Sequence, residues 1–157
     1  MATIQSTEII PGKGFGQIKL GMAKNEVEEL LGKPGETEEH LYPEGGKSET
    51  YSYLEEGFDL TFESENRGLL SYISVFKDKF HIDGKIRIGK SKDEILKIIK
   101  KGKYSKPEVE DVGGDDLPGN ELVFLKDENL NLWFSEGELD EIQFGPFWKD
   151  DDTPLWP

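Results

Sequence analysis

The chain resembles itself, and this restricts its fold more than any other feature. Ile18-Lys19-Leu20-Gly21-Met22-Ala23-Lys24-Asn25-Glu26-Val27-Glu28-Glu29-Leu30-Leu31-Gly32 recurs, without a gap, as Ile86-Arg87-Ile88-Gly89-Lys90-Ser91-Lys92-Asp93-Glu94-Ile95-Leu96-Lys97-Ile98-Ile99-Lys100. Hydrophobic class agrees at Ile18/Ile86, Leu20/Ile88, Val27/Ile95, Leu30/Ile98 and Leu31/Ile99, and Gly21 agrees with Gly89. The agreement resumes downstream. Glu56-Gly57-Phe58-Asp59-Leu60-Thr61-Phe62 aligns with Glu128-Asn129-Leu130-Asn131-Leu132-Trp133-Phe134, and residues 70–75 align with residues 139–144. A duplication is the simplest origin, and it predicts two copies of one supersecondary unit. The expected domains are 1–80 as a first repeat and 81–157 as a second, with an acidic aromatic tail.

Within each copy the periodicity changes from helical to extended. Val27, Leu30 and Leu31 fall at i, i+3 and i+4, as do Ile95, Ile98 and Ile99, so each set shares one helical face. The first helix should stop at Gly32, with Pro34 just beyond. Ser91 and Glu94 have the spacing of a capping box, in which each side chain satisfies the other residue's free backbone N–H. Ala23 takes the serine's place in the first copy, which weakens that helix start by about 1 kcal/mol.

The strands alternate. Phe58, Leu60 and Phe62 share one face against Asp59, Thr61 and Glu63, and Leu130, Leu132 and Phe134 oppose Asn131, Trp133 and Ser135. Ile73 and Val75, like Ile142 and Phe144, extend the apolar face. Such patterning indicates antiparallel sheet with one face covered. Residues 33–48 and 102–120, rich in Gly and Pro, are expected to be long loops, functional or mobile rather than neutral. The expected fold class is α+β: two tandem helix-plus-antiparallel-sheet repeats, with the helices on one face and the other face exposed.

The pattern Ile-x-Leu-Gly-Met-x-Lys-x-Glu-Val-x-x-Leu-Leu-Gly-x-Pro over residues 18–34, followed by aromatic-rich strands, resembles the β-lactamase-inhibitor-like and SmpA/OmlA outer-membrane-assembly lipoprotein superfamily. The tandem arrangement is similar to its two-repeat inhibitor proteins, over roughly residues 14–76 and 84–147. The resemblance implies a protein-binding role through an exposed sheet face. It reports a fold rather than an activity.

Composition narrows the partner. The formal net charge is −14 and the pI is near 4.6, a surface that repels phosphate backbones and suits a basic protein. Acidity also keeps a protein soluble, and that reading stands beside it. Charge is uneven. Residues 85–106 hold nine Lys or Arg and two acids, whereas residues 107–157 hold two Lys and fifteen acids. The basic second helix (Lys92, Lys97, Lys100, Lys101) and the acidic first one (Glu26, Glu28, Glu29) would complement each other within a monomer or across a homodimer, or are simply two solvated faces. The absence of cysteine removes disulfides and thiolate chemistry, and counts against a lipid-anchored envelope role. The N-terminal residues lack the pattern of a signal peptide and no apolar run spans a membrane, so the expected location is cytoplasmic.

Catalytic signatures are weak. His40 and His81 are isolated, and Gly12-Lys13-Gly14-Phe15-Gly16 is followed by a strand rather than the helix a phosphate loop needs. That glycine-rich segment reads as a flexible lead-in. Asp127-Glu128-Asn129 starts like a calcium loop, but Leu132 stands where glycine is required. Carboxylates occur in surface-type clusters. No enzyme, metal or cofactor is expected.

The candidate interface follows from the alternation. Asp59, Thr61, Tyr72 and Ser74 should point outward in the first copy, and Asn131, Trp133, Glu141 and Gln143 in the second. Trp133 is out of place on a wet face and has the character of a binding hot spot, unless Phe147 and Trp148 of the tail, or a neighbouring loop, fold over it as a small satellite core. Phe147, Trp148, Asp115 and Asp116 complete the candidate set. The leading expectation is an immunity or inhibitor protein that occludes a basic toxin or enzyme. The alternatives are an envelope-assembly or scaffold adaptor, and a small hydrolase or ligand-binding domain.

Overall fold

The computed structural model describes residues 4–117 and 119–157. The chain starts with three two-residue strands, β1 (Ile9–Ile10), β2 (Gly14–Phe15) and β3 (Ile18–Lys19), then helix α1 (Lys24–Leu31). Four strands follow: β4 (Glu36–Leu41), β5 (Lys47–Tyr53), β6 (Phe58–Glu63) and β7 (Leu69–Val75). A short hairpin, β8 (His81–Ile82) and β9 (Ile86–Arg87), leads into helix α2 (Lys92–Lys101). Then come β10 (Glu108–Asp111), β11 (Glu121–Leu125), β12 (Leu130–Ser135) and β13 (Glu138–Phe144), and a tail hairpin, β14 (Phe147–Asp150) and β15 (Thr153–Leu155).

This corrects the expected fold class. The protein is mostly β and is not two helix-plus-sheet repeats. Eight strands form one antiparallel sheet in the order β10-β11-β12-β13-β7-β6-β5-β4, and the described helices are only eight and ten residues long. Two causes are visible. The segments expected to be long loops contain β4 and β10, which pair with β5 and β11 as the outer strands. In addition β7 pairs with β13, through Ile73↔Phe144, Ser74↔Gln143 and Val75↔Ile142, and so joins the halves into one sheet. Pro118, in the second of those segments, lies outside the described residues.

The backbone explains how each helix reaches the sheet. Gly21 N–H donates to the Leu70 carbonyl and Leu70 N–H to the Met22 carbonyl, both at 2.8 Å; Gly89, Leu139 and Lys90 repeat that pair of bonds at 2.8 Å. Gly21 and Gly89 have φ of 89° and 98°, a left-handed region that glycine enters without a Cβ clash. The following helices bury Val27 and Leu31, or Ile95 and Ile99, in the same core as the sheet.

One core therefore serves segments 1–80 and 81–157 alike. Phe58, Leu60, Phe62, Ile73 and Val75 meet Val123, Leu125, Leu130, Leu132, Ile142 and Phe144 within it. Phe15 is fully buried, with its ring 5.1 Å from Phe58 and 5.2 Å from Phe80 in edge contacts. The Gly12–Gly16 segment thus carries the packed hairpin strand β2 rather than a flexible lead-in. No described helix is long and apolar enough to cross a membrane.

The opposite helix charges do not meet in an ion pair among the described residues. Instead Lys24 of α1 pairs with Glu49 of β5, and Lys92 of α2 with Glu121 of β11 at 2.7 Å. Each helix is tied to the sheet next to it.

Candidate functional site

Antiparallel pairing places directly opposed residues on the same face of a sheet. On the face away from the core, one row therefore runs through all eight strands: Glu108, Phe124, Asn131, Gln143, Ser74, Asp59, Ser52 and Glu36. A second row is broken at the seam. It holds Glu110, Leu122, Trp133 and Glu141 in one half, and Tyr72, Thr61, Thr50 and Glu38 in the other.

All eight strand residues expected to point outward lie in these rows, each half-buried. The tail does not behave as one alternative required. Phe147 packs on Gly12, whose added Cβ would come within 2.9 Å of the ring, and Trp133 instead donates its indole N–H to Gln143 Oε1 at 3.3 Å. Phe147 and Trp148 are partly exposed, and border a hollow of ≈ 520 Å³ beside Phe124. Asp115 and Asp116 are exposed on the turn between β10 and β11, outside both rows.

Pairing also adds residues that sequence reasoning missed. Leu122 and Phe124 enter from β11, Glu108 and Glu110 from β10, and Glu36, Glu38, Thr50 and Ser52 from β4 and β5. Glu63, opposite Ser48, belongs to this face as well. The Tyr42 hydroxyl bonds both Glu63 carboxylate oxygens at 2.9 Å, and the His40 ring stands edge-on to Tyr42 at 5.1 Å.

The electrostatics are one-sided. Asp59, Glu63, Glu141, Glu36, Glu38, Glu108 and Glu110 place carboxylates on this face, and its rows contain no Lys or Arg. Burial raises the Asp59 carboxyl above its ordinary range; a Ser52 hydrogen bond opposes this, while Glu36 and Glu38 reinforce it. One Asp59 oxygen, Oδ1, is buried with no hydrogen-bond partner among the described residues. Glu141 is raised by burial too, eased by Ser74, with Asp59 and Asp140 adding repulsion. An incoming cation would relieve these carboxylates.

The halves differ in what lies between the acids. Along β5 and β6 the positions are Ser52, Thr50, Asp59 and Thr61, with the Thr50 and Thr61 hydroxyls 3.0 Å apart. At the corresponding ladder positions of β11 and β12 stand Phe124, Leu122, Asn131 and Trp133. One half is hydroxylic and the other carries apolar and aromatic groups inside an acidic border. Among the described residues, no group of three or more His, Asp or Glu is placed to hold a metal ion.

No family model and no curated protein matches the sequence. Among solved structures, the chain is similar to an extracellular protein containing an SCP domain from Bacillus anthracis str. Ames, with a TM-score of 0.50 and 13% identity over 98% of this chain. The chain spans about half of that protein, 49% of its length. At that identity the likeness concerns the fold alone.

Proposed function

We propose that this protein is a binding module which engages a basic protein partner through the sheet face opposite the core, as an immunity or inhibitor protein that occludes a toxin or enzyme. The supporting observation is the composition of that face: acidic on both flanks and at its centre, free of basic side chains in its rows, with Leu122, Phe124 and Trp133 grouped in one half. Complementary charge accelerates encounter and selects the partner, while half-buried aromatics supply the affinity.

The size of the face agrees. Eight strands spaced about 4.8 Å apart, each roughly 20 Å long, give on the order of 700 Å² in projection. A standard interface uses about 800 Å² per partner.

The test is capture from the native host with two baits, the wild-type protein and Trp133→Lys, at low and high salt. The proposal expects a cationic protein held by the wild type, released as salt rises, and lost with the variant. Equal retention by both baits would overturn it.

A further inference from the structure

We infer that the hollow between β10 and β11 is the anchor socket of this face, built to receive an arginine side chain of the basic partner; the inference rests on the binding role proposed above. The hollow holds ≈ 270 Å³ and is lined by Glu108, Val109, Glu110, Leu122, Phe124 and Asn131. It lies at the lower limit of the roughly 300–1,000 Å³ of small-molecule sites and has room for one long side chain.

Its walls divide the work. Phe124 is paired with Glu108, and Leu122 with Glu110, so each carboxylate rises beside an apolar floor. Arginine fits that pairing in both parts. Its stem and planar guanidinium lie along apolar and aromatic surface, and its N–H fork reaches carboxylates. Lysine, a compact and strongly hydrated charge, gains less from the aromatic wall.

The other edge of the sheet is an internal control. Glu36 pairs with Ser52 and Glu38 with Thr50, so the same two acids stand there over hydroxyls. A cation at that edge keeps its water and is bound loosely, as exposed ion pairs are. At β10 the floor displaces water from one side of the pair. The two edges therefore differ in role: β4 steers the partner and β10 anchors it.

The test uses the intact protein and three blocked tetrapeptides, of arginine, lysine and citrulline, followed by amide chemical shifts. The tetra-arginine peptide is expected to shift residues 108–111 and 121–125. Tetralysine should bind several-fold more weakly, and tetracitrulline should not bind. Glu108→Gln/Glu110→Gln, on an exposed strand, should weaken binding at least tenfold, and so should Phe124→Ser, whereas Glu29→Gln/Asp93→Asn, exposed on the two helices and outside both rows, should leave it within twofold. Shifts of equal size along β4 and β5, or equal binding of arginine and citrulline, would overturn the socket. Concentration-dependent dimerisation abolished by Glu108→Gln/Glu110→Gln would overturn it too, by giving the hollow to a second copy. If no tetra-arginine shift appears while Trp133→Lys still loses the captured partner, the socket fails and the binding face stands.

Discussion

Ser74 of β7 lies directly opposite Gln143 of β13, at the centre of the seam that joins the two halves of the sheet. On the core side this polar pair is flanked by Val75 opposite Ile142 and by Ile73 opposite Phe144, all buried. The seam is thus part of the hydrophobic core, and neither half can lose its structure without exposing apolar surface of the other.

Cooperative unfolding follows from that seam. Ile142→Ala should destabilise the protein by roughly 2–5 kcal/mol, through lost burial and the cavity left behind. The urea transition should move to a lower midpoint and remain single, with circular dichroism and tryptophan fluorescence coinciding. Two resolved transitions in the wild type would contradict a shared core.

Trp133 should matter to binding more than to stability. It is half-buried, its indole N–H meets Gln143, and Phe147 and Trp156 of the tail pack elsewhere. Trp133→Ala should cost on the order of 1 kcal/mol of stability, the scale of one hydrogen bond, rather than the 3–5 kcal/mol of a core tryptophan. Partner affinity should fall about thirtyfold or more, as for a hot spot of ~2 kcal/mol. A large drop in melting temperature would place the side chain in the core instead.

The raised carboxyls give a pH dependence of definite sign. Asp59 and Glu141 have ordinary values of 3.8 and 4.5, and burial lifts both in the fold. Between the ordinary and the raised value the folded chain binds more protons than the unfolded one, so stability falls as pH rises through that window. The contribution is fully present below the ordinary values and lost above the raised ones. Asp59→Asn with Glu141→Gln should remove this loss, giving a flatter profile of urea midpoint against pH and a higher midpoint at pH 7. A double variant with the wild-type slope would show that these groups do not carry the effect.

The legible parts of the sequence were those where one face is buried. Val27, Leu31, Ile95 and Ile99 set the helical period, and residues 58–62, 70–75, 130–134 and 139–144 the extended one, so the outward residues from Asp59 to Gln143 could be placed correctly. β4 left no such trace. All six residues of Glu36–Leu41 are exposed, so the strand is held by backbone pairing to β5 and has no apolar alternation to display. β10 is exposed along its whole length in the same way. Edge strands are commonly charged, which discourages pairing with other chains, and with no apolar alternation to set against them the surrounding Gly and Pro made both segments read as loop. β11 failed for the opposite reason. Leu122-Val123-Phe124-Leu125 is apolar throughout, and only its register with β12 separates Val123 and Leu125 in the core from Leu122 and Phe124 on the binding face. Closure of the tail depended on Trp156 meeting Gly21, a long-range contact that no local pattern announces.

The two helix starts make a matched experiment. Ala23 and Ser91 occupy N-cap positions with nearly the same extended backbone, φ −80°, ψ 159° and φ −70°, ψ 154°. In α2 the Ser91 hydroxyl oxygen accepts from Glu94 N–H at 3.3 Å, and the hydroxyl contacts the Glu94 carboxylate at 3.2 Å. In α1 the complementary half of a capping box is present: the Glu26 carboxylate accepts from Ala23 N–H at 3.0 Å, but alanine has no oxygen to accept from the helix N–H in return. Ala23→Ser supplies it on a backbone already in cap geometry, and should stabilise the protein by about 1 kcal/mol. Ser91→Ala should cost about the same. Because the helices sit on opposite halves of one cooperative sheet, the double variant should return to within about 0.5 kcal/mol of the wild type, as distant substitutions usually add. Urea midpoints of the four proteins complete the cycle. A destabilising Ala23→Ser would mean that α1 starts in some other geometry.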